Sequence, residues 1–126
     1  MEDVRIFIVD DSDVARGMLK RILLERKNYA VVGEFASGNG AIMVLDEYAP
    51  DILFFELPSA DKSNAEYLIN QMKQISPETK IVLIAGLSHS AQDMLIHGTA
   101  AGADGFIEKP FKKTKIFRMI DELIGQ

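Results

Sequence analysis

The chain has 126 residues, a net charge of −5, 48% hydrophobic and 26% charged residues, and no cysteine; this is the size and balance of one domain that buries a core without metal or disulfide support. The lack of cysteine excludes disulfides, thiolate metal sites and thiol nucleophiles, and the negative charge argues against direct nucleic-acid binding, which draws on clustered Lys and Arg. Met1 leads almost directly into an apolar run, with no basic leader and no stretch of membrane-spanning length, so the expectation is a soluble, cytoplasmic protein without membrane association.

The first apolar run, Val4–Val9, reads as a buried strand. Ser12 or Asp13 then caps a helix in which Val14, Met18 and Ile22 repeat beside Ala15, Leu19 and Leu23, one apolar stripe facing a sheet. A second strand at Tyr29–Glu34 is followed by a helix over Asn39–Tyr48, with Ile42, Leu45 and Tyr48 inward and Pro50 as its stop. The third strand, Ile52–Phe55, precedes a helix carrying Ala65, Leu68, Ile69 and Met72 and ended by Pro77. Lys80–Ala85 is the fourth strand, Ala91–Gly98 the fourth helix and Gly105–Ile107 the fifth strand. Ile116, Phe117, Ile120, Leu123 and Ile124 mark the last helix. Methionines at helical spacing read as core, and His89 and His97, which lack paired ligand spacing, read as surface residues.

Strands that are apolar throughout and separated by helices imply a parallel sheet covered on both faces, a three-layer doubly wound α/β domain. No internal repeat, low-complexity segment or linker interrupts residues 1–126, which read as a single domain. Ligands of such sheets bind beyond the carboxyl ends of the strands. Asp10 and Asp11 stand at that end of strand one and Glu56 at that end of strand three. Three convergent carboxylates invite a hard divalent cation, magnesium above all, held with waters and phosphate oxygens. Lys109, after strand five, adds an ammonium that reaches a phosphate or a carboxylate.

Asp10-Asp11-Ser12 after strand one, Pro50-Asp51 before strand three, Ala101-Gly102-Ala103-Asp104 before strand five and Lys109-Pro110-Phe111 after it recur in order and spacing in the receiver domains of two-component response regulators. The chain resembles this CheY-like family over essentially its whole length. The resemblance implies a flavodoxin-like (βα)5 fold with strand order 2-1-3-4-5. It also implies phosphoryl transfer from a partner histidine kinase to an acid at the end of strand three. In that scheme Asp10 and Asp11, with Glu56, take the metal role and Lys109 faces the phosphoryl group. A kinase or downstream effector would dock on the face formed by helix 4, strand 5 and helix 5, which Lys112, Lys113 and Lys115 border.

The chain departs from the family at the positions that trigger it. Glu56 stands where the family has the acceptor Asp, and its extra methylene moves the carboxylate by about 1.5 Å, enough to impair an in-line transfer that depends on positioning. Ala85 replaces the Thr or Ser that holds a phosphoryl oxygen, and Phe106 replaces a switching aromatic that is often Tyr. In Leu57–Lys62 the proline, Pro58, comes about two residues earlier than in the family. The expectation is a degenerate receiver, a phosphorylation-independent interaction module rather than an enzyme, with Glu56 paired to Lys109.

Other readings stand beside it. Asp10 and Asp11 serve as helix caps, Lys109 as a surface lysine, and Lys112, Lys113 and Lys115 as a solvated first turn. Ser88 and Ser90 suit turn or capping roles. A working magnesium-dependent acceptor would use Glu56, or Asp51 or Asp61. Asp11-Ser12-Asp13 has the D-x-D spacing of a small hydrolase of the haloacid dehalogenase type.

Overall fold

A computed structural model describes residues 3–57, 62–86 and 91–125. Strands and helices alternate: β1 (Val4–Val9), α1 (Asp13–Leu23), β2 (Tyr29–Phe35), α2 (Gly38–Tyr48), β3 (Ile52–Glu56), α3 (Lys62–Ile75), β4 (Lys80–Ala85), α4 (Ala91–Ala101), β5 (Gly105–Glu108) and α5 (Lys113–Ile124). The strands form one sheet in the order β2-β1-β3-β4-β5, every pair parallel. This is the doubly wound, flavodoxin-like arrangement expected from the alternation, because each parallel step needs a crossover helix.

Side-chain alternation along the strands divides the interior in two. Ile6 and Ile8 of β1, with Ile52 and Phe54 of β3, join Leu19 and Leu23 of α1 and Ile116 and Ile120 of α5. Phe7, Val9, Leu53 and Phe55 point the other way, into Ala41 and Leu45 of α2 and Ala65, Leu68, Ile69 and Met72 of α3. Both faces of β1 and β3 are therefore dry, and their carboxyl ends are held in fixed register at the edge where the acids lie.

Several helix faces differ from the sequence expectation. In α1 only the row Ala15, Leu19 and Leu23 is buried; Val14 is 73% and Met18 48% exposed. Of the second row only Ile22 packs against the core, and only partly buried, so the helix is rolled to put the first row squarely on the sheet. In α2 the buried residues are Gly38, Ala41 and Leu45, whereas Ile42 is half-buried and Tyr48 exposed, its ring resting 5.9 Å from that of Phe7. Gly38 lies close under Leu68, Phe55 and Met72, so α2 turns its small side toward the core. Met43, at 85% exposure, joins Met18 as a methionine outside the core, in contrast to buried Met72. Pro50 follows Ala49, which closes α2 in the left-handed region at φ 38°. The helix α4 continues past Gly98, which is no terminator: a Cβ there would overlap Leu83 of β4, so its bare Cα is what lets α4 approach the sheet.

Candidate functional site

β1 and β3 lie side by side, with β2 beyond one and β4 beyond the other, so the chain order reverses between them and leaves a crevice at their carboxyl ends. Asp10 follows β1 and Glu56 closes β3. Carboxylate oxygens of Asp10, Asp11 and Glu56 lie within 4.8 Å of one another, a spacing at which like charges call for a cation.

Lys109 supplies one. Its backbone N–H donates to Ala85 O at 3.0 Å, prolonging the pairing beyond β5, and a cis peptide joins it to Pro110. Its Nζ donates to Glu56 Oε2 at 2.8 Å and sits 3.1 Å from Asp10 Oδ2. The contact to Asp10 is an ion pair without the alignment of a hydrogen bond, because Asp10 Oδ2 is buried and has no hydrogen-bond partner. The other oxygen of Asp10 accepts from Ser12 N at 2.9 Å.

Helix capping falls to Ser12, whose Oγ accepts from Ala15 N at 3.1 Å. Asp10 is thereby left to face the crevice. Arg16, one turn into α1, donates to the backbone carbonyl of Asp10 and to Asp13, tying the β1–α1 turn to the helix. The sequence reading missed Arg16; its place four residues after the cap was the available signal.

Lys109 meets two of the three clustered carboxylates, Asp10 and Glu56, and the ionisation of Lys109 and Glu56 reflects the crowding. Burial pulls Lys109 down, but the hydrogen bond to Glu56 and the close negative charges of Asp10 and Glu56 outweigh it, so its pKa is raised and the lysine stays charged. Burial is also the largest influence on Glu56; with the charges of Asp10 and Asp11 it outweighs the Lys109 bond and raises the carboxyl above an ordinary glutamate. The lysine therefore neutralises the cluster only in part.

These residues suit a magnesium ion. Asp10 offers a buried, unsatisfied oxygen, Glu56 a half-buried one and Asp11 an exposed one, which leaves a solvent side for the waters this ion retains. Lys109 meets the same negative charge from within the chain and competes for it. Beside the acids lies a cavity of about 200 Å³ bordered by Ser37, Asn39, Phe55, Asn64 and Leu68.

The other singled-out residues fall as follows. Ala85 ends β4, 2% exposed, presenting only a methyl group. Phe106 stands opposite Leu83 in β5 and lies half-buried against the α2–α3 side of the core. Asp51 precedes β3 at the opposite edge of the sheet, where Oδ2 accepts from Arg5 N at 2.8 Å; at about 3.3 Å per residue it lies roughly 16 Å from Glu56 along the chain. Asp13 is exposed and bound to Arg16, and it does not join the acid cluster, which removes the geometry the D-x-D hydrolase reading needs. His97 lies on the surface with Nδ1 2.8 Å from Glu66 Oε1. Pro58, Asp61, Ser88, His89 and Ser90 lie outside the described residues. Among the described helices none is long and apolar enough to cross a membrane.

A second concavity, about 450 Å³, runs along β5 and α5. Phe106, Ile107 and Met119 line it together with Lys112, Lys115 and Arg118.

A family profile described as "Response regulator receiver domain" matches residues 6–121. The chain is 30% identical over 119 residues to the chemotaxis protein CheY of Thermotoga maritima, covering 94% of this chain and 96% of that one. It is 31% identical over 123 residues to CheY of Bacillus subtilis, covering 96% and 98%. In fold it is similar to a response regulator from Thermotoga maritima, with a TM-score of 0.84 at 20% identity and full coverage of both chains.

Proposed function

The chain belongs to the receiver-domain family of response regulators, and from that premise we propose that residues 1–126 form a single receiver whose phosphorylation switch is replaced by a standing Glu56–Lys109 pair, making it a phosphorylation-independent interaction module. The observation that carries this reading is the 2.8 Å bond from Lys109 Nζ to Glu56 Oε2. The lysine that would face a phosphoryl group is already engaged by the carboxylate at the acceptor position. Ala85 offers no hydroxyl to a phosphoryl oxygen, and Phe106, half-buried against the core, has no hydroxyl to expose or hide. The site thus has one resting geometry. Glu56 imitates phosphate only in part, since one carboxylate charge falls short of roughly −1.5 to −2.

Magnesium, where bound, would supply charge neutralisation at Asp10, Asp11 and Glu56. The orphaned Asp10 Oδ2 supports this second reading, a magnesium-dependent acceptor that uses Glu56. Neither reading makes the domain an enzyme in its own right. A histidine kinase or downstream effector would engage the α4–β5–α5 face, where the groove along β5 and α5 joins an apolar floor to Lys112, Lys115 and Arg118. The reading places the domain in the cytoplasm, in keeping with a chain free of cysteine.

Intact-mass measurement after incubation with acetyl phosphate and magnesium separates the two. The expected result is no phosphate on the wild type and a labile phosphate on the Glu56→Asp, Ala85→Thr double variant. A labile phosphate on the wild type that disappears in Glu56→Gln overturns the phosphorylation-independent reading.

A further inference from the structure

The start of α2 reads Ser37-Gly38-Asn39-Gly40. Of the asparagines, Asn28, Asn39, Asn64 and Asn70, Asn39 alone precedes a glycine. That order matters chemically, because a following residue without a Cβ leaves its backbone nitrogen unscreened, within reach of the asparagine carboxamide carbon. Asn39 is exposed, whereas Oδ1 of Asn70 is held by Gln74 at 3.0 Å.

The helices α1 and α2 both begin on a serine cap, and the two caps are not equally tight. In α1, Ala15 N donates to Ser12 Oγ at 3.1 Å and Arg16 N to Ser12 O at 3.0 Å. In α2 the corresponding bonds, Gly40 N to Ser37 Oγ and Ala41 N to Ser37 O, are 3.3 and 3.4 Å, beyond the usual range for an N–H donor and an oxygen. Gly40 N stands ahead of the helical ladder and so has no carbonyl partner, and two glycines in one turn make that turn costly to hold in helical form. The nitrogen that must be released for attack is therefore loosely held.

We propose that Asn39 is a site of spontaneous deamidation whose product is a fourth carboxylate on the rim of the acid crevice. Gly40 N bonds to Asn39 Cγ, the Cγ–Nδ2 bond breaks, and ammonia leaves with the proton taken from Gly40 N. Water then opens the cyclic imide at either carbonyl, giving aspartate or isoaspartate at position 39. The new charge falls where it is favoured: the first turn of α2 holds no acidic residue, while α1 has Asp13 there, and a negative charge offsets the positive end of a helix. Asn39 borders the cavity of about 200 Å³ that Asp10, Asp11 and Glu56 also line. A carboxylate at position 39 adds to a cluster whose Asp10 Oδ2 already lacks a hydrogen bond, and it strengthens the demand for a cation. That last consequence rests on the fit of these acids to magnesium; the deamidation does not.

Peptide mapping by mass spectrometry after storage of the folded protein in warm, mildly alkaline buffer tests it, with circular dichroism confirming the fold of each sample. Fragment masses are expected to place a gain of about 1 Da on Asn39 and none on Asn28, Asn64 or Asn70. Gly40→Ala, whose Cβ would meet nothing nearer than 3.6 Å, should slow the conversion by about tenfold or more by screening the nitrogen. Conversion at Asn39 no faster than at the other asparagines, or undiminished in Gly40→Ala, overturns the proposal. For the crevice, Asn39→Asp should bind magnesium about two- to fivefold more tightly than the wild type in isothermal titration calorimetry, and equal affinities overturn the place on the rim. Magnesium uptake by neither protein overturns the cation consequence together with the magnesium reading of the acids, and the mass map decides the modification separately.

Discussion

The two helical layers are held to the same sheet by charge and close approach in different proportions. On the α1–α5 side, charge ties the elements together: Arg26 forms paired bonds to Asp121 at 2.5 and 3.1 Å and lies 4.2 Å over the Phe117 ring, while Lys113 holds Glu25 at 2.8 Å. On the α3–α4 side Lys73 of α3 holds Asp104 at 3.2 Å and the His97–Glu66 pair is exposed, while close approach brings α4 in, with Gly98 against Leu83. Asp10 and Lys109 follow the strands β1 and β5 rather than either helical layer, and their side chains meet as an ion pair at 3.1 Å.

The largest effect should come from spoiling the close approach. Gly98→Val places a branched side chain into Leu83, which is 1% exposed, and is expected to cost about 2–4 kcal/mol in urea unfolding. Gly17→Ala on α1, where a Cβ meets nothing within 4 Å, should instead stabilise by about 0.5–1 kcal/mol. Equal responses at the two glycines would erase the distinction between the layers.

Next in size is the charge tie. Arg26→Ala removes the paired bonds and the ring contact and should cost about 1–2 kcal/mol. Its pH dependence has a definite sign. The hydrogen bond from Arg26 holds the Asp121 carboxyl below its ordinary value of 3.8, so the stabilisation is complete above that value and is lost as pH falls through the lower, folded-state value. The stability gap between wild type and Asp121→Asn should therefore narrow in acid below about pH 4, and a gap that widens there would contradict the assignment.

The smallest effect belongs to the exposed pair: His97→Gln should change stability by less than about 0.5 kcal/mol. A larger loss would mean that α4 is pinned by charge after all.

Much of this was legible in the chain. The five strands were placed within a residue at either end, because buried parallel strands are apolar throughout and flanking prolines and acids bound them. Asp10, Asp11, Glu56 and Lys109 are legible as a group because each stands at or just past the carboxyl end of a strand. Helix faces were less legible: Val14 and Met18 are as apolar as Ala15 and Leu19, and period alone does not say which row the sheet covers. Gly98 read as a place to stop a helix, whereas in three dimensions it is where one lies closest to the sheet.

The sequence by itself thus determined the layer order, the strand ends and the chemical cast of the site, since these follow from local pattern and from the family's spacing. Only the tertiary structure decided how closely the paired groups meet and which atoms are left over. Lys109 and Glu56 are 53 residues apart, and although the strand-end positions point to their pairing, nothing local sets the 2.8 Å closure or the Asp10 Oδ2 left without a hydrogen bond. Those distances depend on strand register and on how closely each helix approaches the sheet, and both arise from side-chain volumes packed together across the whole domain.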